Sequence, residues 1–292
     1  MEIDTNRLTP GMVIEQDIIG KSGRPIVPKN TKLTEVHIEF IKNFLIDKVS
    51  VSSTVSLEIE PSPNKAKIIE QKEQTLDTFE NEVSQYKRHF STWRNNLPIE
   101  MYDIRKTFLP LFERVVKQPF HKIASITENR PIKELFYYKS VAMSLLSVFL
   151  ANKLNYEKKD WLQIGFAALL CDSGMAKLNT SFLEKSMESD PNFQMHPLYS
   201  YKMVENITTL TKQAKIAILQ HHERLDGSGY PAKGVGEKII PFARIIAVSD
   251  FYYSNNTENV DEMIQLLTNQ IGKLDEEIVQ LLIYELKEMQ QL

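Results

Sequence analysis

Short apolar runs separated by proline and glycine characterise the first 52 residues. Residues 12–14 and 18–19 lead into a turn at 20–23, and residues 25–27 follow as a return strand, which predicts a β-hairpin. After Thr34, a candidate N-cap, apolar residues recur at helical spacing as far as Leu45, and residues 49–51 form another short β-branched run. We therefore expect a small β-rich module of hairpin, helix and strand over residues 1–60. This segment has no clustered metal ligands or glycine-rich phosphate loop, so a regulatory or docking role is expected.

Residues 61–98 are predicted to form a linker followed by an amphipathic helix. The Pro-Ser-Pro-Asn sequence at 61–64 disfavours regular structure and marks the boundary. From Leu76 to Trp93, large apolar residues recur at alternating spacings of three and four, which places them on one stripe of a helix. Two interpretations stay open: the stripe packs against the body of the same chain, or residues 76–93 form a homodimer interface. The shortness of the run and its many aromatic residues favour the first.

Helical periodicity continues through residues 99–292, with loop signals near Pro191 and at residues 227–236 and 255–259. The predicted fold class is therefore mainly α, a helical bundle preceded by a small α+β domain. With 35 Lys and Arg against 38 Asp and Glu, the net charge is -3, which gives no global field for binding a nucleic acid polymer. The single cysteine, Cys171, cannot form an intramolecular disulfide, which favours the cytoplasm. The longest apolar stretches are too short to predict a membrane span.

Three of the six histidines, His196, His221 and His222, fall within 27 residues of one another. Neutral imidazole binds zinc, iron and manganese, and centres that hydrolyse phosphate esters combine it with carboxylates such as Asp172 and Asp250. A lone histidine at any of these positions is more often structural than a ligand. The residues that follow His222 therefore decide the interpretation.

The run from His221 to Pro231, HHERLDGSGYP, resembles the HHExxDGxGYP signature of the HD-GYP family, the cyclic di-GMP phosphodiesterase branch of the HD superfamily. The similarity extends over about residues 100–292. It includes the His196-Pro197 pair, the segment 169–175 aligned with LLHDIGK, the segment 239–250 and the segment 272–279. The first 52 residues also resemble the β-rich module that precedes many HD-GYP domains. The resemblance implies an all-α HD bundle that acts in bacterial cyclic di-GMP signalling.

In active members of this family two metals are bound, and the resemblance implies that only the second set of ligands is complete here. That set consists of Asp172, His196, His221 and His222, and we expect it to hold at most one iron, manganese or zinc ion. At the first site only Asp172 and Asp250 remain, because Lys139 and Cys171 stand where the family has histidines. We expect Lys139 to form salt bridges with Asp172 and Asp250, so that its ammonium replaces a metal. Cys171 is expected to be a small buried hydrophobe.

Groups that would handle a substrate are also altered relative to the family. Met175 stands in place of a lysine, and no lysine or arginine occurs between Arg244 and Lys273. Binding of cyclic di-GMP is therefore doubtful, and no substrate-binding residue is assigned. The main hypothesis is a catalytically impaired HD-GYP protein that acts through protein contacts. The alternative is an active metal-dependent phosphodiesterase or phosphohydrolase that uses the surviving ligands.

The loop formed by Gly229, Tyr230 and Pro231 has two interpretations. Its glycines allow a tight turn that Tyr230 and Pro231 fix on the helices. Alternatively, the resemblance implies a contact surface for a GGDEF-domain partner or another signalling protein. Asp226 either caps the turn or orients a ligand histidine, and both roles stay open.

Overall fold

The computed structural model describes residues 2–19, 25–43, 46, 48–52, 65–124, 134–179, 189–255, 257 and 259–291. Helices predominate among these residues, and short strands are confined to the first 52, which confirms the predicted fold class. Some predicted features lie outside the described residues: the turn at 20–23, the helix end at 44–45, the linker at 61–64 and the side chain of Leu76.

Two small antiparallel sheets form the N-terminal module. The strands are β1 (Glu2–Asp4), β2 (Val13–Ile14), β3 (Ile18–Ile19), β4 (Pro25–Val27) and β5 (Lys48–Ser52). Strands β3 and β4 pair with each other, which confirms the predicted hairpin. Strand β5 lies between β1 and β2, in register with Ile3 opposite Val49 and Ile14 opposite Val51. Strand β1 was not predicted, because its three residues are too few to show an alternating pattern.

Helix α1 (Glu35–Asn43) covers the module. The Thr34 hydroxyl accepts a hydrogen bond from the His37 backbone N–H at 3.2 Å, so the predicted N-cap is confirmed. Phe40 and Ile41 of this helix join a small hydrophobic cluster with residues of the strands. The module thus has an apolar core of its own.

The helices after the module pack around a second, much larger cluster of apolar side chains. They are α2 (Lys65–Arg94), α3 (Met101–Val115), α4 (His121–Ala124), α5 (Leu135–Lys153), α6 (Lys158–Leu170), α7 (His196–Val204), α8 (Lys212–Gln220), α9 (Pro241–Ser254), α10 (Val260–Thr268) and α11 (Glu276–Gln290). Helix α5 packs against α6 and α9 and is buried along most of its length. Among the described helices it is the one whose length and composition would suffice to cross a bilayer, and its burial is that of a core helix.

The apolar stripe of α2 lies in this larger core. Its described members are all buried there: Phe79, Val83, Tyr86, Phe90 and Trp93. The rings of Tyr86 and Trp93 meet edge to face, with centroids 5.7 Å apart. The structure thus shows the favoured interpretation, in which the stripe packs against the body of the same chain.

The N-terminal module rests on the last helix. The His37 ring and the Tyr284 hydroxyl of α11 are 2.5 Å apart, and the rings of Phe40 and Tyr284 lie 4.9 Å apart. At the other end of α11, Asp275 is the N-cap and accepts a hydrogen bond from the Glu277 N–H. Asp275 also forms an ion pair with Arg244 of α9 at 3.2 Å. Helix α11 is therefore fixed at its start to α9 and near its end to the module.

Candidate metal centre

The candidate ligands come from the ends of three helices and the loops that follow them. Asp172 comes directly after the C-cap of α6, and His196 is the first residue of α7. His221 and His222 follow the last residue of α8. Four of these side chains, all buried, bring one ligand atom each to within 4.8 Å of one another: Asp172, His196, His221 and His222. We call this group the four-ligand cluster.

A close backbone contact places Asp172 next to His196. The Gly174 N–H, two residues after Asp172, donates to the Ser200 hydroxyl of α7 at 2.7 Å. A Cβ at Gly174 would lie only 2.2 Å from the His196 carbonyl oxygen, so this approach requires glycine. Pro197 at the start of α7 suits the first turn, where backbone N–H groups have no helical partner. The sequence around each ligand therefore fits its position.

The hydrogen bonds of His196 and His221 determine which nitrogen faces the cluster. Nδ1 of His196 lies 2.7 Å from the Phe193 carbonyl, and Nδ1 of His221 lies 2.7 Å from the Ile218 carbonyl. A carbonyl only accepts hydrogen bonds, so both Nδ1 atoms carry the proton. In the neutral rings, both Nε2 atoms then have free lone pairs. This arrangement is typical of histidines that bind a metal.

The three atoms that converge at the centre are all acceptors when the imidazoles are neutral. His196 Nε2 is 3.1 Å from Asp172 Oδ1 and 3.3 Å from His221 Nε2, which in turn is 3.5 Å from the same carboxylate oxygen. Three lone pairs facing one another need a cation between them, either a proton or a metal ion. A metal ion can satisfy all three at once.

The donor set and its electrostatics fit a divalent transition metal. Burial alone would raise the pKa of Asp172, but hydrogen bonds that His196 and His221 donate when a proton fills the site, together with the charge of Lys139, lower that pKa well below the usual value, so the carboxylate is ionised. Burial and the neighbouring imidazoles lower the pKa of His222, so its ring is neutral. The four ligand atoms lie within 4.8 Å of one another, so a single ion placed among them could be shared by all four. Three imidazoles and one carboxylate suit zinc, iron or manganese.

The other half of the centre contains an ion pair. Lys139 Nζ of α5 lies 2.7 Å from Asp250 Oδ1 of α9, and the Asp250 side chain is only 2% exposed. Burial alone would lower the pKa of Lys139, but the charges of Asp250 and Asp172 raise it above the usual value. The predicted salt bridge to Asp250 is thus confirmed. No ion pair of the described residues joins Lys139 to Asp172, and Lys139 acts on that carboxylate through its field alone.

The two remaining predicted positions lie beside the four-ligand cluster. Asp250 contacts His222 Nδ1 through its second oxygen at 3.4 Å, so it is the neighbour of a candidate ligand. The Cys171 thiol is fully buried and donates to the Ala168 carbonyl, and burial raises its pKa well above the usual value. A protonated thiol at this position behaves as a small apolar group.

Glu223, to which the sequence analysis gave no role, organises the loop after His222. Its buried carboxylate accepts hydrogen bonds from the Ala232 N–H at 2.7 Å and the Gly234 N–H at 2.9 Å. The two N–H groups lie nine and eleven residues further along the chain, so one side chain closes the whole loop of residues 223–236, which we call the GYP loop. A buried carboxylate whose hydrogen bonds are satisfied indicates a structural role of this kind. The sequence could not show this role, because the partners of Glu223 are visible only in the folded loop.

Gly229 and Tyr230 of the GYP loop face inward. The Tyr230 ring stacks on His222 with centroids 4.7 Å apart and an interplanar angle of 24°. A Cβ at Gly229 would lie 2.4 Å from backbone atoms of residues 222 and 224, so the loop packs directly on its own start. Pro231 is exposed, and the peptide bond before it is cis. The structural interpretation of the loop thus has direct support from these contacts.

Asp226 caps the turn within this loop. Its Oδ1 accepts hydrogen bonds from the Ser228 N–H at 2.9 Å and the Ser228 hydroxyl at 2.6 Å. The side chain is exposed, and its hydrogen bonds in the structure go to Ser228. Of the two roles left open by the sequence, turn capping is the one seen here.

Comparisons with known proteins agree with this architecture. The sequence profile of the family described as HD domain matches residues 121–272, more than half of the chain. The chain is 28% identical over 175 residues to the cyclic di-GMP phosphodiesterase PA4108 of Pseudomonas aeruginosa, a match that covers 56% of this chain and 42% of that protein. It is 36% identical over 115 residues to the cyclic di-GMP phosphodiesterase response regulator RpfG of Xanthomonas campestris pv. campestris, covering 38% of this chain and 30% of that protein.

The chain spans less than half of the length of these two relatives. Among solved structures, Bd1817, an HDG"Y"P protein from Bdellovibrio bacteriovorus, matches 98% of this chain and 99% of its own, at 16% identity and a TM-score of 0.49. The similarity to HD-GYP proteins predicted from the His221 to Pro231 motif is confirmed, and the chain belongs to the HD domain family.

Proposed function

We propose that this chain is an HD-GYP-like protein of bacterial cyclic di-GMP signalling that holds one divalent metal ion and is impaired as a two-metal phosphodiesterase. The observation that carries this proposal is the contrast within one centre. The four-ligand cluster is complete and two of its imidazoles, His196 and His221, turn Nε2 toward the centre, whereas an ammonium group fills the other half. Two-metal hydrolysis needs a second cation on the phosphate oxygens, and Lys139 stands in its way.

In this proposal Asp172, His196, His221 and His222 hold iron, manganese or zinc. When bound, such a metal supplies Lewis acidity and a lowered pKa for a bound water. The contribution of the chain is to hold the ligands: the Phe193 and Ile218 carbonyls orient two imidazoles, and Tyr230 packs against the third. The buried, unpaired Cys171 agrees with a reducing cytoplasm.

We further propose that the protein acts through contacts with a partner, a GGDEF-domain or other signalling protein. The exposed Pro231 at the tip of the GYP loop is the group best placed for such a contact, since Gly229 and Tyr230 are turned inward. The N-terminal module, which has its own core, offers a second surface.

Elemental analysis of metal per chain tests the metal proposal. The protein would be produced with iron and manganese and purified without chelator, as wild type, His196→Ala and His89→Ala. His89 lies on α2 and stacks on Trp93 instead of facing the cluster. His89→Ala is therefore the matched control, since it also removes one imidazole but no candidate ligand. We expect about one equivalent in the wild type and the His89→Ala variant and almost none in His196→Ala. A wild type without metal, or His196→Ala with full occupancy, would refute the proposal.

The alternative function is hydrolysis of a phosphate ester with the single metal site. The observation in its favour is an open cavity that His222 and Asp250 line, which offers room for a substrate beside the four-ligand cluster. A turnover assay with cyclic di-GMP and a general phosphodiester, with Mn(II) or Fe(II) added, separates the two functions. Turnover that His221→Ala abolishes would establish the alternative, and its absence in a metal-loaded protein supports the impaired form.

A further inference from the structure

The contact between the N-terminal module and the bundle is formed by α1 and α11, and a histidine lies within it. Tyr284 of α11 packs on the apolar core of the module, and its ring lies 4.9 Å from the Phe40 ring and 5.1 Å from the His37 ring. The Tyr284 hydroxyl is also 2.5 Å from His37 Nε2. The half-buried His37 therefore meets the bundle at the point where the module rests on it.

His37 also closes the start of α1. The hydroxyl of Thr34, the N-cap, accepts a hydrogen bond from the His37 N–H at 3.2 Å, and the Thr34 N–H donates to His37 Nδ1 at 3.1 Å. This reciprocal pattern is a capping box, in which glutamate or glutamine usually takes the place of His37. The Thr34 hydroxyl also donates to Glu288 of α11 at 3.3 Å. The cap of α1 and the contact with the bundle thus share the same side chains.

The neutral His37 ring fits both of its partners. Because Nδ1 accepts from the Thr34 N–H, the proton of the neutral ring is on Nε2, which donates to the Tyr284 oxygen. Burial raises the pKa of Tyr284, so its hydroxyl is not ionised.

A second proton on His37 would disturb this arrangement. A proton on Nδ1 would face the Thr34 N–H, which is itself a donor. The Thr34 hydroxyl, 2.8 Å from the same nitrogen, can accept that proton, but the backbone N–H cannot. Protonation would also place a positive charge at the N-terminus of α1, where the helix dipole disfavours it. The capping box therefore requires a neutral ring.

The charges that act on His37 come from α11 and from the end of α5. Burial lowers the pKa of His37, Glu288 of α11 raises it, and Lys153 of α5 lowers it, with a lowered pKa as the result. Lys153 is paired with Glu285 at 2.6 Å. Within the module, the short helix that packs on α1 carries Arg7, whose side chain is exposed. The surroundings of His37 thus favour its neutral form.

We propose that His37 makes the docking of the N-terminal module on α11 sensitive to pH, so that the module is held at neutral pH and loosens when His37 binds a second proton. An undocked histidine has a pKa of about 6.5, and the docked one binds the proton more weakly. Docking is therefore fully stabilised above that pH and weakens as the pH falls through it. The inference goes beyond the proposed function and does not rest on it, because His37 lies outside the four-ligand cluster.

Amide hydrogen exchange of the full-length protein tests the proposal, measured by mass spectrometry at pH 7.5 and 5.5 and corrected for the intrinsic effect of pH. In the wild type, the opening equilibrium of α1 and of the turn around Tyr284 should rise about threefold at pH 5.5, since one histidine can change it by at most about tenfold per pH unit. The buried helix α5 should keep its protection.

Two variants assign the effect to His37. His37→Gln keeps a capping-box residue but does not titrate, so α1 should open equally at both pH values. His89→Gln is the matched control, since His89 is another partly buried histidine with a lowered pKa and lies on α2 beside Trp93. It should respond to pH like the wild type.

A pH response that persists in His37→Gln would overturn the proposal, because other histidines, including those of the four-ligand cluster, would then cause it. Full protection of α1 at pH 5.5 in the wild type, or an equal loss of protection in α5, would also overturn it. Exchange at the imidazole C2 position of the wild type gives the pKa of each histidine without a substitution, so the test does not depend on the folding of His37→Gln. We expect a pKa below about 6.5 for His37, and a value at or above that contradicts the proposal.

Discussion

Asp172 and Asp250 are buried carboxylates of the same centre, yet they face different partners. Asp172 faces His196 and His221, whose Nε2 atoms lie 3.1 and 3.5 Å from its carboxylate and can share a cation from solution with it. Asp250 faces Lys139, whose cation is part of the chain. The comparison teaches that two buried carboxylates in one centre can be neutralised in different ways. The cation beside Asp250 is a side chain of the protein, whereas a cation beside Asp172 would have to come from solution.

The largest effect on the free energy of unfolding is expected when the Lys139 ammonium group is removed. Lys139→Met leaves Asp250 buried and unpaired, which should lower the free energy of unfolding by about 3 kcal/mol, as measured by urea denaturation followed by circular dichroism. Lys158→Met, which breaks an exposed ion pair with Glu113, should cost no more than about 1 kcal/mol. Equal effects of the two variants would mean that the Lys139 pair is no more important than a surface pair.

A histidine at the same position sharpens this test. Lys139→His should be destabilised like Lys139→Met without metal, but its imidazole can bind a cation held also by Asp250 and Asp172. Added Mn(II) should therefore recover part of the lost stability in Lys139→His beyond any gain in Lys139→Met. If the two variants respond alike, Lys139 does not occupy a former metal position.

The next largest effect on stability is expected from metal binding to the four-ligand cluster. A metal that binds only the folded protein should raise the free energy of unfolding by about 2.7 kcal/mol at a free concentration of one hundred times its Kd. The comparison of urea transitions with Mn(II) and with EDTA measures this gain. In His221→Ala the gain should largely vanish, and a gain that persists there would place the metal elsewhere.

The GYP loop connects the two halves, because Tyr230 stacks on His222 and His222 touches Asp250. Gly229→Ala brings a Cβ within 2.4 Å of backbone atoms that cannot yield freely, so we expect a loss of about 2 kcal/mol and a lower metal content. Gly234→Ala is the matched control, since its Cβ would make contacts of 3.5 Å or more. It should stay within about 0.5 kcal/mol of the wild type.

The smallest effect on stability is expected from His37, a half-buried histidine outside the four-ligand cluster. Burial lowers the pKa of His37, and its Nδ1 accepts a hydrogen bond from the Thr34 N–H. The unfolded chain therefore binds more protons than the folded one below about pH 6.5, so stability is lost as the pH falls through that value. The slope should be well under about 1.4 kcal/mol per pH unit, because the ring is partly exposed. His37→Phe should reduce it in urea titrations at pH 7, 6 and 5, and an unchanged slope would exclude His37 as its source.

The sequence predicts those parts of the structure that are determined by residues close to one another along the chain. The Thr34 cap, the hairpin and the α2 stripe follow from local patterns, and the four ligands follow from a motif. The role of Glu223 does not, since its partners Ala232 and Gly234 lie nine and eleven residues further along the chain and meet it only in the folded loop. Strand β1 was not predicted either, because its pairing partner β5 lies more than 40 residues further along the chain.

Helix α11 joins two distant parts of the protein. Its 15 residues give a length of about 22 Å, and Tyr284, which holds the module, lies roughly 14 Å from the Asp275 end. The Asp275–Arg244 pair then leads into α9, where Asp250 follows within two turns. A continuous series of contacts thus connects the N-terminal module to Asp250 through two helices and one ion pair.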